Sequence, residues 1–213
     1  MGTNDFTVVT YNCHGFNQGR PLLQDLLQSN DIICIQEHWL SSGDMNKLSD
    51  LSEDFSVIAS FAVDSVLGGG VLRGRPFGGL AIFVKSNMIC KWSIICKSDR
   101  LIVIQVNNLL ICNVYMPNDD LDMFTCILGN ISDYITNRDR CVDHYVVAGD
   151  FNCSFSLPSQ FLDVFQCFAN SCMLSNTLSR VTDSNYYTYK HNSLNHYSCI
   201  DYIFMSPVLS NNI

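Results

Sequence analysis

A layered fold mixing α-helices and β-strands is what this sequence predicts, on three observations. Short runs rich in Val, Ile and Phe recur along the whole chain. Helical apolar spacing fills several of the intervals between them. One pair of runs is separated only by Asn107 and Asn108, which marks an antiparallel hairpin among strands otherwise followed by helices. At 213 residues and 47% apolar composition the chain has material for one sizeable core, and it is read as a single domain over residues 1–213.

In chain order the strand-like runs are residues 6–11, 31–36, 55–60, 79–84, 101–106, 109–115, 145–148, 186–189 and 199–205. A helix over 21–30 follows from Leu22, Leu23, Leu26 and Leu27, which share one face. A second, over 119–136, carries Leu121, Phe124, Leu128, Ile131 and Ile135, with Asn118 or Asp119 as its cap after Pro117. A third spans 159–172. Asn107-Asn108 suits a type I′ turn, because Asn tolerates positive φ. "LGGGVLRGRPFGG" (67–79) lacks the Gly and Lys spacing of a nucleotide phosphate loop and is read as a surface loop. Within it Arg73 and Arg75, flanked by permissive glycines, are candidate contacts to a phosphate backbone.

The bulk numbers exclude several classes. A net charge of −8 argues against holding nucleic acid by a broad basic surface. It leaves room for an enzyme that meets phosphate through a bound cation and a few local basic residues. No apolar stretch approaches the roughly 18 residues of a membrane span, and "MGTNDFTVVT" carries neither a secretory nor a myristoylation signal. The 11 cysteines are odd in number, include no Cys-x-x-Cys pair, and mostly sit in apolar runs. They are expected to be small buried hydrophobes in a reducing compartment, which places the chain inside the cell, in nucleus or cytoplasm.

The chemistry-bearing residues recur in one kind of place, the end of an apolar strand. Asn12 follows "FTVVTY", Gln36-Glu37 follows "DIICI", Asn113 and Tyr115 close "LLICNVY", and Asp150 and Asn152 follow "YVVAG". Asp201 is embedded in the apolar run "SCIDYIF", where a buried carboxylate needs a partner or a cation. Loops at strand ends, held by a rigid sheet, are where sites are built. Mg²⁺ prefers hard oxygen ligands and keeps several waters, so one or two carboxylates suffice to hold it. An Asp two residues before an Asn sets an acceptor and a donor beside one phosphate.

The segments "TYNCHGF" (10–16), "DIICIQEHWL" (31–40), "GGLAIFVK" (78–85), "NVYMPN" (113–118), "GDFN" (149–152) and "SCIDYIFMS" (198–206), in this order, resemble the endonuclease/exonuclease/phosphatase superfamily. "YNCHGFNQGRP", "ICIQEHWL" and "GRPFGG" are most similar to the AP-endonuclease-like endonuclease domains of non-LTR retrotransposons. The resemblance implies a four-layer α/β sandwich, two mixed β-sheets packed face to face with helices outside, as in deoxyribonuclease and AP endonucleases. It also implies phosphodiester hydrolysis with Mg²⁺, or Mn²⁺ in its place, and DNA as the substrate of a monomeric enzyme. Carried over residue by residue, Glu37 would be the main metal ligand, and Asn12 would support that cation or the phosphate. Tyr115 would stabilise the phosphate, and Asp150 would orient the attacking water or protonate the leaving oxygen. Asn152 would hold a phosphate oxygen, Asp150 and Asn152 would stand with Glu37 and Asn12 among the metal-site residues, and Asp201 would orient and charge-stabilise a histidine.

The resemblance fails at one point. The family's closing Ser-Asp-His segment is not found after Asp201. The domain is therefore expected to be C-terminally incomplete, with its activity impaired. His191 and His196 are the nearest substitutes, while His14 and His38 are expected at the rim or on phosphate. Two alternatives follow: an inactive retroelement remnant that at most binds nucleic acid, and a phosphatase acting on phosphoinositides or small phosphate esters.

Overall fold

The structure, a computed structural model, describes residues 6–67, 78–87, 91–138, 142–155, 157–177, 186–191 and 196–210. Arg73 and Arg75 lie outside the described residues.

Two sheets carry the fold. The first holds β1 (Val8–Asn12), β2 (Ile32–Gln36), β3 (Phe55–Ser60) and β4 (Leu80–Lys85) in the order β1-β2-β4-β3. The second holds β5 (Trp92–Lys97), β6 (Leu101–Val106), β7 (Leu109–Tyr115), β8 (His144–Asp150), β9 (Ser175–Asn176) and β12 (Asp201–Met205) in the order β5-β6-β7-β8-β12-β9. A separate hairpin pairs β10 (Tyr189–His191) with β11 (His196–Ser198). The parallel pairs β1–β2 and β7–β8 are joined through α1 (Phe16–Ser29) and α4 (Leu121–Thr136). Parallel neighbours need such crossovers. The other pairings are antiparallel, so both sheets are mixed.

The near-continuous apolar runs reflect burial on both faces of a strand. On β2, Ile32 and Cys34 meet β6, β7 and β8 between the sheets, while Ile33 and Ile35 meet Leu23 and Leu27 of α1. On β7, Leu109 and Ile111 point between the sheets, and Leu110, Cys112 and Val114 meet Phe124, Leu128 and Ile131 of α4. The short helix α2 (Met45–Ser49) packs Leu48 with α1 on the first sheet. On the second sheet α5 (Gln160–Ser171) packs Leu162, Phe165 and Phe168 beside α4. Helices, sheet, sheet and helices make the four layers expected. Short helices α3 (Ala62–Leu67) and α6 (Pro207–Ser210) complete the elements. Among the described residues no helix is long and apolar enough to cross a membrane.

Several local expectations need correction. Helix α1 starts at Phe16, before Pro21, because Gly15 at φ 98° turns the chain directly out of β1. Asp120, not Asn118 or Asp119, caps α4, accepting from Met123 N at 2.8 Å. Only Asn107 of the hairpin pair sits at positive φ (51°), so the turn is not type I′, although Val106 does pair with Leu109. Of the run 186–189 only Tyr189 is in a strand. Strand β5 escaped notice because it is an edge strand with Ile94 and Ile95 exposed. The nine cysteines described are all free, and five of them are buried. Burial pushes the Cys34 thiol up to about 12, so it stays protonated and packs as a hydrophobe.

Candidate active site

The parallel strands of each sheet end at a common level, and the candidate residues sit there. Asn12 pairs in register with Gln36, whose successor is Glu37. Across the second sheet Tyr115, Asp150 and Asp201 form one row, because Tyr115 pairs with Asp150 and Asp150 with Asp201. The strands bracket a cleft of about 720 Å³ lined by Asn12, Glu37, Tyr115, Asp150, Asn152 and Asp201, among others. Gly149 makes the row possible. At φ 145° it lies so close to β7 that a Cβ would stand 2.0 Å from Val114 O.

The backbone is contorted here. Of the six described non-glycine residues at positive φ, four are at or beside the cleft: His14 (47°), Glu37 (60°), Trp39 (57°) and Asn152 (47°). Such conformations carry a cost and concentrate at functional sites. Hydrogen bonds that extend the sheets hold the turns. Cys13 N donates to Gln36 O at 3.0 Å, Gly15 N to Glu37 O at 2.8 Å, and Phe151 N to Ile200 O at 2.8 Å.

Asp150 is the hub. Its Oδ1 accepts from Asn152 N and its Oδ2 from Asn12 Nδ2, each at 2.8 Å. Asn12 Oδ1 accepts in turn from His14 N at 3.0 Å, and Asn152 Nδ2 donates to Met116 O at 2.8 Å. Burial, then the Asp201 charge, push the Asp150 carboxyl well above the usual carboxylate range, against the Asn152 and Asn12 donors. Burial raises Asp201 as well, against the Thr188 hydroxyl. Two buried carboxyls on paired residues do not both ionise readily. Among the described residues the buried Asp201 Oδ1 has no hydrogen-bond partner. Burial and the neighbouring Glu37 and Asp150 raise the Tyr115 phenol, with Arg100 working against them.

Three residues near the cleft were not anticipated. Trp39 Nε1 donates to Glu37 Oε2 at 2.8 Å; its adjacency in "QEHWL" was the available signal. Thr188 Oγ1 accepts from Ile200 N (3.0 Å) and Asp201 N (3.1 Å), a long-range contact with no local signature. Arg100 stands 5.1 Å from the Tyr115 ring centroid and donates to Tyr115 O at 3.3 Å.

His38 is not at the rim. It is fully buried, its Nε2 lies 2.9 Å from Ser60 O, and its Nδ1 accepts from Leu40 N at 3.0 Å. Burial lowers its pKa, so it is a neutral structural group. His14, by contrast, lines the cleft. The side chains of His191 and His196 lie outside what is described. Asn113, in the strand-end series, lies beneath the cleft and ties the sheets together. Its Nδ2 donates to Ile35 O (3.1 Å) and Ala81 O (2.9 Å), while its Oδ1 accepts from Gln36 Nε2 at 2.7 Å.

Among the described residues no three His, Cys, Asp or Glu side chains group as a metal centre. The donors in the cleft are carboxylate and amide oxygens, and one buried carboxylate oxygen is unpartnered. That set suits a hard cation that keeps most of its water.

Comparisons with known proteins agree with this architecture. The sequence profile of the Endonuclease/Exonuclease/phosphatase family matches residues 9–211. No curated protein matches the chain in sequence. Among solved structures, the 3′ phosphatase NExo from Neisseria, bound to a product DNA hairpin, is similar at TM-score 0.72 and 18% identity. That match covers 97% of this chain and 89% of the other. An AP endonuclease from Leishmania major is similar at TM-score 0.71 and 12% identity, covering 96% and 80%. The endonuclease domain of TRAS1, a telomere-specific non-LTR retrotransposon, is similar at TM-score 0.68 and 12% identity, covering 97% and 88%. At these identities the likeness is one of fold.

Proposed function

The chain belongs to the Endonuclease/Exonuclease/phosphatase family, and on that premise we propose that it is a divalent-cation-dependent DNA endonuclease of the retrotransposon type, acting in one cleft of a single domain. The observation that carries the reading is the convergence of Asn12, Glu37, Tyr115, Asp150, Asn152 and Asp201 on that cleft from both sheets.

Family members generally use divalent metals, and here Glu37 would hold Mg²⁺ or Mn²⁺ with Asn12 beside it. The cation would neutralise phosphoryl oxygens and lower the pKa of a bound water. Asp150, raised toward neutrality, is poised to take a proton from water or give one to a leaving oxygen. Its geometry is fixed by Asn152 N and Asn12 Nδ2. Asn152 Nδ2 uses one N–H on Met116 O and has a second for a phosphate oxygen. The Tyr115 phenol stays protonated and donates a hydrogen bond. Such positioned donors act mainly by electrostatic preorganisation.

A polynucleotide suits the cleft better than a small ester. Tyr189 and Lys190 line it, Tyr187 and Tyr197 are exposed next to them, and Lys190 Nζ stands 5.3 Å from the Tyr197 ring centroid. Aromatic faces with a cation are what nucleic-acid strands engage. A second reading, binding without cleavage, is favoured by the unpartnered Asp201 Oδ1. In that reading residues 1–213 would gain activity when a donor for Asp201 is supplied.

The test is nicking of supercoiled plasmid with Mg²⁺ by the purified chain, beside Glu37→Ala and a panel containing a small phosphate ester. Cation-dependent nicking lost in Glu37→Ala supports the endonuclease. DNA binding without nicking moves the conclusion to the second reading, and turnover of the ester alone to a phosphatase.

A further inference from the structure

After β2 the chain turns twice into the left-handed region, at Glu37 (φ 60°) and Trp39 (φ 57°). The result is local and specific. The Trp39 indole N–H is held 2.8 Å from Glu37 Oε2, and Glu37 is only 8% exposed. The indole is itself clamped. Trp39 N donates to Gly78 O at 3.1 Å. The His14 ring centroid lies 4.9 Å from that of Trp39. Gly15 presses its backbone against the indole so closely that a Cβ would stand 2.6 Å from Cε3.

Packing alone does not call for this arrangement, because an apolar side chain would fill the same space without a donor. A glutamate side chain has several rotatable bonds and two equivalent oxygens, so in isolation it presents either one in many poses. An N–H bond at this length holds one oxygen in place and narrows the poses open to the carboxylate. An indole suits the task because it donates and does not accept, so it never competes with Glu37 for a cation. Partners that orient a ligand are as much a part of a metal site as the ligand.

We propose that Trp39 is a positioning residue: its indole N–H, seated by Gly15 and His14, sets the Glu37 carboxylate in the one orientation in which it receives the divalent cation. The inference rests on the reading of Glu37 as the cation's ligand.

The test follows Mn²⁺ binding by EPR of the free ion, with the unfolding midpoint measured alongside. The 213-residue chain is compared with Trp39→Phe and Glu37→Gln. Trp39→Phe keeps an aromatic ring and removes the donor. It is expected to leave the midpoint near that of the unaltered chain while weakening Mn²⁺ binding roughly tenfold, with Glu37→Gln weaker still. Unchanged Mn²⁺ affinity in Trp39→Phe overturns the positioning role alone. Equal affinity in the unaltered chain and Glu37→Gln, or no binding by either, overturns the ligand role of Glu37 and the inference with it. Should Trp39→Phe fail to fold, a Trp92→Phe background leaves Trp39 as the only tryptophan. Its emission is then expected to shift with Mg²⁺, and to stay fixed when Glu37→Gln is added. An emission unmoved by bound cation would refute the coupling.

Discussion

Asp150 and Asp201 are directly opposed in the antiparallel β8–β12 ladder, at the end where the cleft opens. Each strand places a carboxyl where its neighbour is also a carboxyl. Asp150 is buried with both oxygens engaged, while Asp201 is half-buried and its buried Oδ1 has no partner among the described residues. Two carboxyls that face each other at this depth repel when both are ionised.

That arrangement gives stability a pH dependence. Both carboxyls are raised, so the folded state binds protons more tightly than the unfolded one. Their contribution is fully present below the ordinary value of 3.8 and is lost as the pH rises toward about 7. In chelator, these groups are expected to make the melting temperature higher at pH 5 than at pH 8. Added Mg²⁺ should raise it more at pH 8. Scanning fluorimetry of the protein and Asp150→Asn checks this, since the variant should flatten the slope.

Asp150→Asn also separates chemistry from folding. The amide keeps the size of the carboxyl and loses the proton relay, so nicking should fall about 10²–10⁴-fold with little change in DNA affinity. A gel assay of rate and a filter-binding assay of affinity decide it. A loss confined to affinity would remove Asp150 from the proton-transfer role.

Beneath the cleft, Asn113→Leu should be destabilising although it adds apolar bulk. It removes the Asn113 bonds to Ile35 O, Ala81 O and the Gln36 amide between the sheets, although the Gln36 amide keeps Thr10 Oγ1 and Cys34 O as partners. Each hydrogen bond lost is worth about 0.5–1.5 kcal/mol net, so a loss of roughly 2 kcal/mol is expected in urea denaturation. A neutral result would mean that water replaces the network.

Gly149→Ala should be among the worst single substitutions. The new Cβ meets Val114 O at 2.0 Å, and neither backbone can retreat without opening the β7–β8 ladder. Loss beyond the ordinary 0.5–3 kcal/mol range is expected, roughly, with little soluble protein at 37 °C. Retained stability would show that the two strands can part.

The sequence alone determined a mixed α/β layered fold and the position of each candidate residue along its strand, while the four-layer order came from the family resemblance. Continuous apolar runs and helical spacing are local properties, and the runs over 55–60, 101–106 and 109–115 coincide with β3, β6 and β7. The edge strand β5 and the two-residue β9 were illegible because neither buries a continuous face. Tertiary structure alone decided what those residues meet. Asn12 and Asp150 are 138 positions apart and share a 2.8 Å hydrogen bond. His38 and Glu37 are adjacent, yet one is locked into the core against Gly79 and the other turns to the cleft. A strand's own apolar run marks it as buried on both faces. Which carboxyl opposes which, and so which proton is held tightly, depends on the register between strands that are remote in sequence.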